Sequence, residues 1–269
     1  MPWRPLYAVL EREVVRMFRQ RTRLVAAMVR PLIWLFVIGA GFGAVLGRAS
    51  GLSYQQFLVP GVLGMTMLFG AMLAALTVVY DKESGVMRML IIAPFAHFWI
   101  VIGKMLAAAL AAILQALLLL IVLALLGYLG GETHFGTLVI GLIATSLACA
   151  GIGMLVAAFT RTLDNFAAIM NFVIFPVFFL SGSLYPVNQL PALLRAVALS
   201  NPYTYGVDLL KHATLGVRTS GMGADFPLAM DLAILAGFTL AALMVASWRF
   251  SRESAYEPMI HILTGKRGS

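Results

Sequence analysis

Between Pro31 and Gly47, and again from Met105 to Gly131, the chain carries no Asp, Glu, Lys or Arg. Four further stretches are nearly as apolar. Together they read as six segments near residues 31–47, 59–80, 100–128, 135–159, 166–186 and 226–248. A helix rises 1.5 Å per residue, so roughly 20 apolar residues cross a hydrocarbon core of about 30 Å. A soluble core can hide one such segment but not six. The chain is therefore expected to be an all-α integral membrane protein with six transmembrane helices. Its 269 residues are 61% hydrophobic and 11% charged, against about 25% charged in ordinary soluble domains.

The charges choose an orientation. An even number of spans puts both termini on one side. That side then holds the seven arginines before Pro31, then Lys82, Arg88, Lys104, Arg161, Arg249, Arg252, Lys266 and Arg267, fifteen of the nineteen basic residues. Only Arg48, Arg195, Lys211 and Arg218 fall opposite. Basic loops stay in the cytoplasm, so both termini are expected there. The chain divides into an N-terminal region 1–30, a transmembrane region 31–248 and a cytoplasmic tail 249–269. In the first, Leu6, Tyr7, Leu10, Val14, Met17 and Phe18 follow a helical period, with Arg12, Arg16, Arg19, Gln20 and Arg23 on the other side. This predicts an amphipathic helix lying in the membrane interface, its arginines at lipid phosphates. Arginines scattered through that helix are unlike a cleavable signal peptide, and none is expected. The net charge of +8 sits beside membrane spans, so lipid and not nucleic acid is its expected partner.

Several chemistries are poorly served. One cysteine, Cys149, offers neither a disulfide framework nor a Cys-rich metal site, and no His has metal-ligand spacing, so no metal is expected. Ser181 and Ser183 with a later His212 lack a nucleophile elbow, which disfavours an intramembrane enzyme, and no catalytic residue is expected. A secondary transporter or channel is the main alternative to the reading developed below. It usually needs ionisable groups at mid-membrane, and the second to fifth spans have no such carboxylate or histidine. Lys104 and Asp231, near the ends of the third and sixth spans, are expected to reach an interface by snorkelling or through a wet cavity. Gly39, Gly43 and Gly47 recur every four residues and predict close helix packing, within the subunit or at a dimer seam. Phe172, Phe175, Phe178 and Phe179 in the fifth span are candidates for a substrate path.

Two loops are distinctive. The first, Y-D-K-E-S-G-V-M-R-M-L-I-I-A-P-F from Tyr80 to Phe95, places Asp81, Lys82, Glu83 and Arg88 ahead of a short apolar run ending at Pro94. A short helix of this kind lies along the cytoplasmic surface and can offer its end to a soluble partner. The second runs F-L-S-G-S-L-Y-P-V-N-Q-L-P from Phe179 to Pro191 and continues L-S-N-P-Y-T-Y-G-V-D-L-L-K from Leu199 to Lys211. Pro186, Pro191 and Pro202 divide it into two expected short helices, 190–199 and 203–215, forming an extracytoplasmic, partly re-entrant hairpin.

These loops, in this order and on opposite sides, resemble the permease subunits of the ABC transporter type-2 family of bacterial exporters, over nearly the whole chain. The matching positions are Glu83, Gly85, Leu90 and Pro94 in the first loop, followed by Gly103 and Lys104. In the hairpin they are Leu180, Ser181, Gly182, Pro186, Leu190, Pro191, Asn201, Pro202 and Tyr205. The chain is similar to nodulation-factor, drug-resistance and polysaccharide exporters. The resemblance implies that 81–95 (Asp81, Lys82, Glu83, Gly85, Arg88, Leu90 and Pro94) is a coupling helix seated in a separate cytoplasmic ABC ATPase. It implies two ATPase copies, a second permease copy forming a homodimer, and an inner-membrane location. ATP and Mg would be held by the partner. No G-x-x-x-x-G-K-[ST] phosphate loop occurs in this sequence, so no cofactor is expected here. Sparse charge in the spans favours an amphipathic, lipid-linked or drug-like cargo.

Overall fold

The computed structural model describes residues 7, 10–15, 19, 29–46, 54–86, 97–129, 133–215 and 223–264; the side chains of 45, 46, 97 and 253–264 lie outside the description. Among the described residues the regular structure is entirely helical. A first apolar helix, α1, spans Val29–Ala44. It includes a π-helical stretch at Trp34–Ile38 and continues as an α-helix over Gly39–Leu46. Then follow α2 (Tyr54–Glu83), α3 (His97–Leu125), α4 (Phe135–Phe159), α5 (Leu163–Phe179), α6 (Ala192–Ser200), α7 (Pro202–Thr214) and α8 (Leu228–Thr264).

Among the described residues, four helices are long and apolar enough to cross a membrane: Tyr54–Glu83, Phe98–Leu125, Phe135–Phe159 and Leu228–Arg252. The other two expected spans are shorter apolar helices, Val29–Ala44 and Leu163–Phe179. With these lengths and this composition, the chain is a multi-pass membrane protein. Helix ends differ from the sequence expectation in informative ways. The fifth segment, expected to reach 186, ends at Phe179, because Gly182 turns the chain at φ 74°. A Cβ there would lie 2.6 Å from Val187 Cγ2, so only glycine fits both the backbone and the space. The sixth segment continues helically to Thr264, well past 248, so the expected tail begins as an extension of α8.

The buried middle is α2. It packs against α3, α4, α5 and α7, while α4 also contacts α3, α7 and α8. Leu63, Met67, Leu68, Ala71, Met72 and Val79 of α2 are fully enclosed. Close approach depends on small residues: Thr145 of α4 donates its hydroxyl to the Gly206 carbonyl of α7 at 3.1 Å. A Cβ on Gly206 would stand 2.8 Å from Thr145 Cγ2. Of the glycines in α1, Gly39 packs against Gln55 of α2, whereas Gly41 and Gly43 face open space. Packing within the subunit therefore uses Gly39 alone of the described pair Gly39 and Gly43; Gly47 lies outside the described residues. In contrast to α2, α8 leaves most of its span exposed, including Leu240, Met244, Val245 and Trp248.

Candidate functional site

Two polar clusters lie at opposite ends of α2. At the Asp81 end, the helical residues 10–15, here called the N-terminal helix, meet the bundle. Glu13 falls on that helix's apolar stripe with Leu10, and its carboxylate is buried. Lys104 Nζ of α3 donates to Glu13 Oε1 at 2.6 Å and also to Asp81 Oδ2. Arg12 closes the set, 2.7 Å from Asp81 and 3.1 Å from Glu13. Burial works against the Glu13 carboxylate, but Lys104 and then Arg12 outweigh it and hold its pKa below the ordinary range. Burial likewise opposes the Arg12 charge, and the two carboxylates more than offset that.

The next two residues of α2 cap its neighbours. Lys82 Nζ donates to the carbonyls of Ala157 and Ala158 at 3.0 and 3.1 Å, at the C-terminus of α4. The same ammonium sits 4.5 Å above the Phe250 ring of α8. Glu83 Oε2 accepts the Leu163 N–H at 3.0 Å, at the N-terminus of α5. A cation at a helix C-terminus and an anion at an N-terminus both complement the helix dipoles and satisfy end groups that helices leave open. Asp81, Lys82 and Glu83 thus form the last turn of α2 and face inward or onto helix ends, where the sequence placed the charged start of a surface helix. Gly85 follows at φ 76°, with open space around it. Arg88, Leu90 and Pro94 lie outside the described residues.

At the Tyr54 end, α6 and α7 form the hairpin. Ser181 Oγ donates to the Phe178 carbonyl at 2.7 Å and lies 2.6 Å from Ser183 Oγ, which closes the turn after α5. Tyr54 anchors the turn to α2 through the Leu184 carbonyl at 3.0 Å. Pro186 precedes a 3-10 turn, Val187–Gln189, and Pro191 starts α6. Asn201 caps α7: its Oδ1 accepts the Tyr203 N–H at 3.1 Å, while its Nδ2 donates to Val177 of α5 at 2.7 Å. Pro202 occupies the first helical turn, where its missing N–H costs nothing. Tyr205 donates to the Leu199 carbonyl at 2.9 Å, tying α7 to α6.

Beneath the hairpin lies a second ionic group. Lys211 Nζ, with its side chain 1% exposed, is 2.8 Å from Asp225 and 3.7 Å from Asp208. The Asp208 carboxylate accepts the N–H groups of Asp225 and Phe226 at 2.7 and 2.9 Å. Burial raises the Asp208 pKa, and Asp225 adds to this, while Lys211 and those two N–H groups offset part of it. His212 Nε2 lies 3.6 Å from Asp231 at the start of α8. Sequence reasoning missed this group, although Asp208, Lys211 and His212 share one face of α7 at i, i+3 and i+4. It also expected Lys104 and Asp231 to reach an interface by snorkelling or through a wet cavity; both are buried in the bundle, and Lys104 is bonded there to Glu13 and Asp81.

The phenylalanines of α5 divide. Phe178 is 1% exposed and packs its ring edge against Trp34 at 5.7 Å. Phe172, Phe175 and Phe179 share an outward face, with Phe172 81% exposed. Phe178 is therefore core, and the other three remain as an aromatic surface.

The chain matches the ABC-2 type transporter family over residues 4–215, a range that includes the cluster at the Asp81 end, the hairpin and Asp208, Lys211 and His212 of the second cluster, but not Asp225 or Asp231. It is 34% identical over 191 residues to nodulation protein J of Rhizobium leguminosarum bv. viciae, covering 69% of this chain and 72% of that one. It is 26% identical over 212 residues to the putative transport permease ycf38 of Cyanophora paradoxa, covering 77% and 72%. Similarity to the inner membrane transport permease YadH of Escherichia coli K12 extends over 90% of this chain and 93% of that one, at 23% identity. On this match, and on its long apolar helices, the chain is a membrane permease belonging to the ABC-2 type transporter family.

Proposed function

We propose that the chain is the transmembrane subunit of an ATP-driven exporter, coupled to two copies of a separate cytoplasmic ABC ATPase and paired with a second copy of itself. In this reading all six apolar helices cross the inner membrane, both termini are cytoplasmic, and the hairpin caps the bundle outside. The subunit carries no catalytic residue of its own; ATP and Mg are bound and used by the partner.

The last turn of α2 carries the reading. Within three residues it is bonded to α3 and the N-terminal helix through Asp81, to α4 and α8 through Lys82, and to α5 through Glu83. The segment that follows Gly85 is the surface offered to the ATPase. A displacement of that segment is delivered at one point to five elements, which suits a bistable bundle driven by a moving partner. The cargo proposed is amphipathic, lipid-linked or drug-like, supported by the outward aromatic face of Phe172, Phe175 and Phe179 and by the scarcity of charge on the exposed spans.

Two substitutions test the transmission. Gly85→Val forces a β-branched residue to a positive φ, a cost of about 1–2 kcal/mol, and Glu83→Ala removes the acceptor of the Leu163 N–H, which ties α2 to the start of α5. Each is expected to reduce ATP-dependent export roughly tenfold, the factor that corresponds to about 1.4 kcal/mol, while membrane insertion stays normal. Substrate-stimulated ATP turnover at wild-type level in both variants would rule the assignment out.

A further inference from the structure

Lys211 balances one of the three carboxylates beneath the hairpin. Asp208, Asp225 and Asp231 are all at most 4% exposed at their side chains, and Lys211 is the only Lys or Arg that pairs with them among the described residues. With all three carboxylates ionised, Lys211 alone would leave two of their negative charges unbalanced inside the protein. The excess lies on the side of Asp208 and Asp231, because Lys211 sits closest to Asp225. Asp231 is fully buried, and neither of its oxygens receives a hydrogen bond among the described residues. A buried carboxylate without a donor is costly unless something cationic joins it.

What faces Asp231 is a ready set of donors. One ligand atom each from Asp208, His212 and Asp231 lie within 4.8 Å of one another. His212 Nε2 is 3.6 Å from Asp231 Oδ2, 3.9 Å from Asp208 Oδ2 and 2.9 Å from the Phe226 carbonyl oxygen. Around a cation with bonds of about 2.0–2.2 Å, neighbouring ligand atoms stand roughly 3–3.5 Å apart. The two spacings from His212 to the carboxylates need to contract by a few tenths of an ångström, and the Asp208–Asp231 spacing, which is within 4.8 Å, by up to roughly an ångström.

We propose that Asp208, His212 and Asp231 form a divalent metal site, with the Phe226 carbonyl oxygen as a fourth ligand, and that its occupant is a first-row transition cation such as Zn²⁺. Without metal, His212 Nε2 donates its proton to the Phe226 carbonyl at 2.9 Å; on binding, the ring takes the tautomer protonated at Nδ1, so that Nε2 is free to ligate. Two carboxylates and one neutral imidazole present a charge of minus two, which a divalent cation offsets. The backbone N–H groups of Asp225 and Phe226 already fix the Asp208 carboxylate, as outer partners of metal ligands do. Lys211 approaches Asp208 at Oδ1, leaving Oδ2 toward His212. Because Asp208 and His212 belong to α7 and Asp231 to α8, the metal joins the hairpin to the last long helix.

The full-length protein, purified in detergent and stripped with a chelator, is titrated with Zn²⁺ and separately with Mn²⁺, and bound metal is counted per chain. One Zn²⁺ per chain is expected, with Mn²⁺ at least tenfold weaker, as the divalent-metal affinity order requires. His212→Gln and Asp231→Asn should each weaken Zn²⁺ at least tenfold and abolish the rise in melting temperature that zinc gives the wild type. Should Asp231→Asn fail to accumulate, His212→Gln at its partly exposed position gives the same reading. No stoichiometric zinc in the wild type overturns the site and leaves protons as the balancing charge. One zinc retained at full affinity in either folded variant overturns it too. Neither count involves ATP or transport, so this result stands or falls separately from the exporter reading.

Discussion

Lys104→Met is expected to lower the stability of the solubilised protein by about 3 kcal/mol. Breaking a buried ion pair by removing one partner typically costs about 3–5 kcal/mol. The lower end applies because Arg12, 41% exposed, still faces Glu13 and Asp81. The ammonium at position 104 is what those two carboxylates share from inside the bundle, and its own side chain is 2% exposed. Its loss should also free the N-terminal helix, read as faster protease cleavage before Val29. The pH dependence has a definite sign. In the wild type the folded-state pKa of Glu13 is depressed, so its contribution is complete above the ordinary carboxylate value of about 4.3. It is lost as pH falls below that, through the folded value. In the variant Glu13 keeps burial without Lys104, takes up a proton more readily, and loses its penalty on acidification. The gap between variant and wild type should therefore narrow as pH drops. A constant gap from neutral pH to pH 4 would contradict the ionic account.

Lys211→Met should cost a similar amount, about 3–5 kcal/mol, and act at the opposite end. Asp225 loses its 2.8 Å partner and Asp208 its nearest ammonium, both in buried positions. Asp225 also accepts from Asn188 Nδ2 at 3.0 Å, so the strain passes to the 3-10 turn between α5 and α6. Loss should appear as a lower melting temperature with proteolysis concentrated in the hairpin. Adding Asp225→Asn to Lys211→Met removes the stranded charge and should recover about half of the loss. A double variant no better than the single one would show that Lys211 acts through packing against Phe57 instead.

The helices were legible in the sequence because charge-free runs long enough to span lipid have few other outcomes. Turn positions were legible where a residue has one physical use: Pro186, Pro191 and Pro202, which divide the hairpin into short helices. Helix ends were harder. The D-K-E run at 81–83 reads as loop because charged residues usually leave the membrane, yet each charge here meets a helix end or a buried partner, and α2 continues. Likewise nothing between Trp248 and Glu253 stops a helix, and α8 runs on. The clusters were largely illegible. Glu13 and Lys104 are 91 residues apart, and their pairing exists only once α2, α3 and the N-terminal helix have packed. A local hint was present in Glu13, an acidic residue on an apolar stripe. His212 and Asp231 meet because the chain folds back between α7 and α8, which no periodicity records.

The most direct test of the account is to isolate the tagged protein from its native membrane in mild detergent and identify what accompanies it. The account predicts a P-loop ATPase in equimolar amount, lost when 84–95 is replaced by a Gly/Ser segment of equal length, and ATP-dependent export in vesicles that disappears with it. A stable permease preparation with no ATPase, and transport in vesicles indifferent to ATP, would contradict it and favour a secondary transporter or channel.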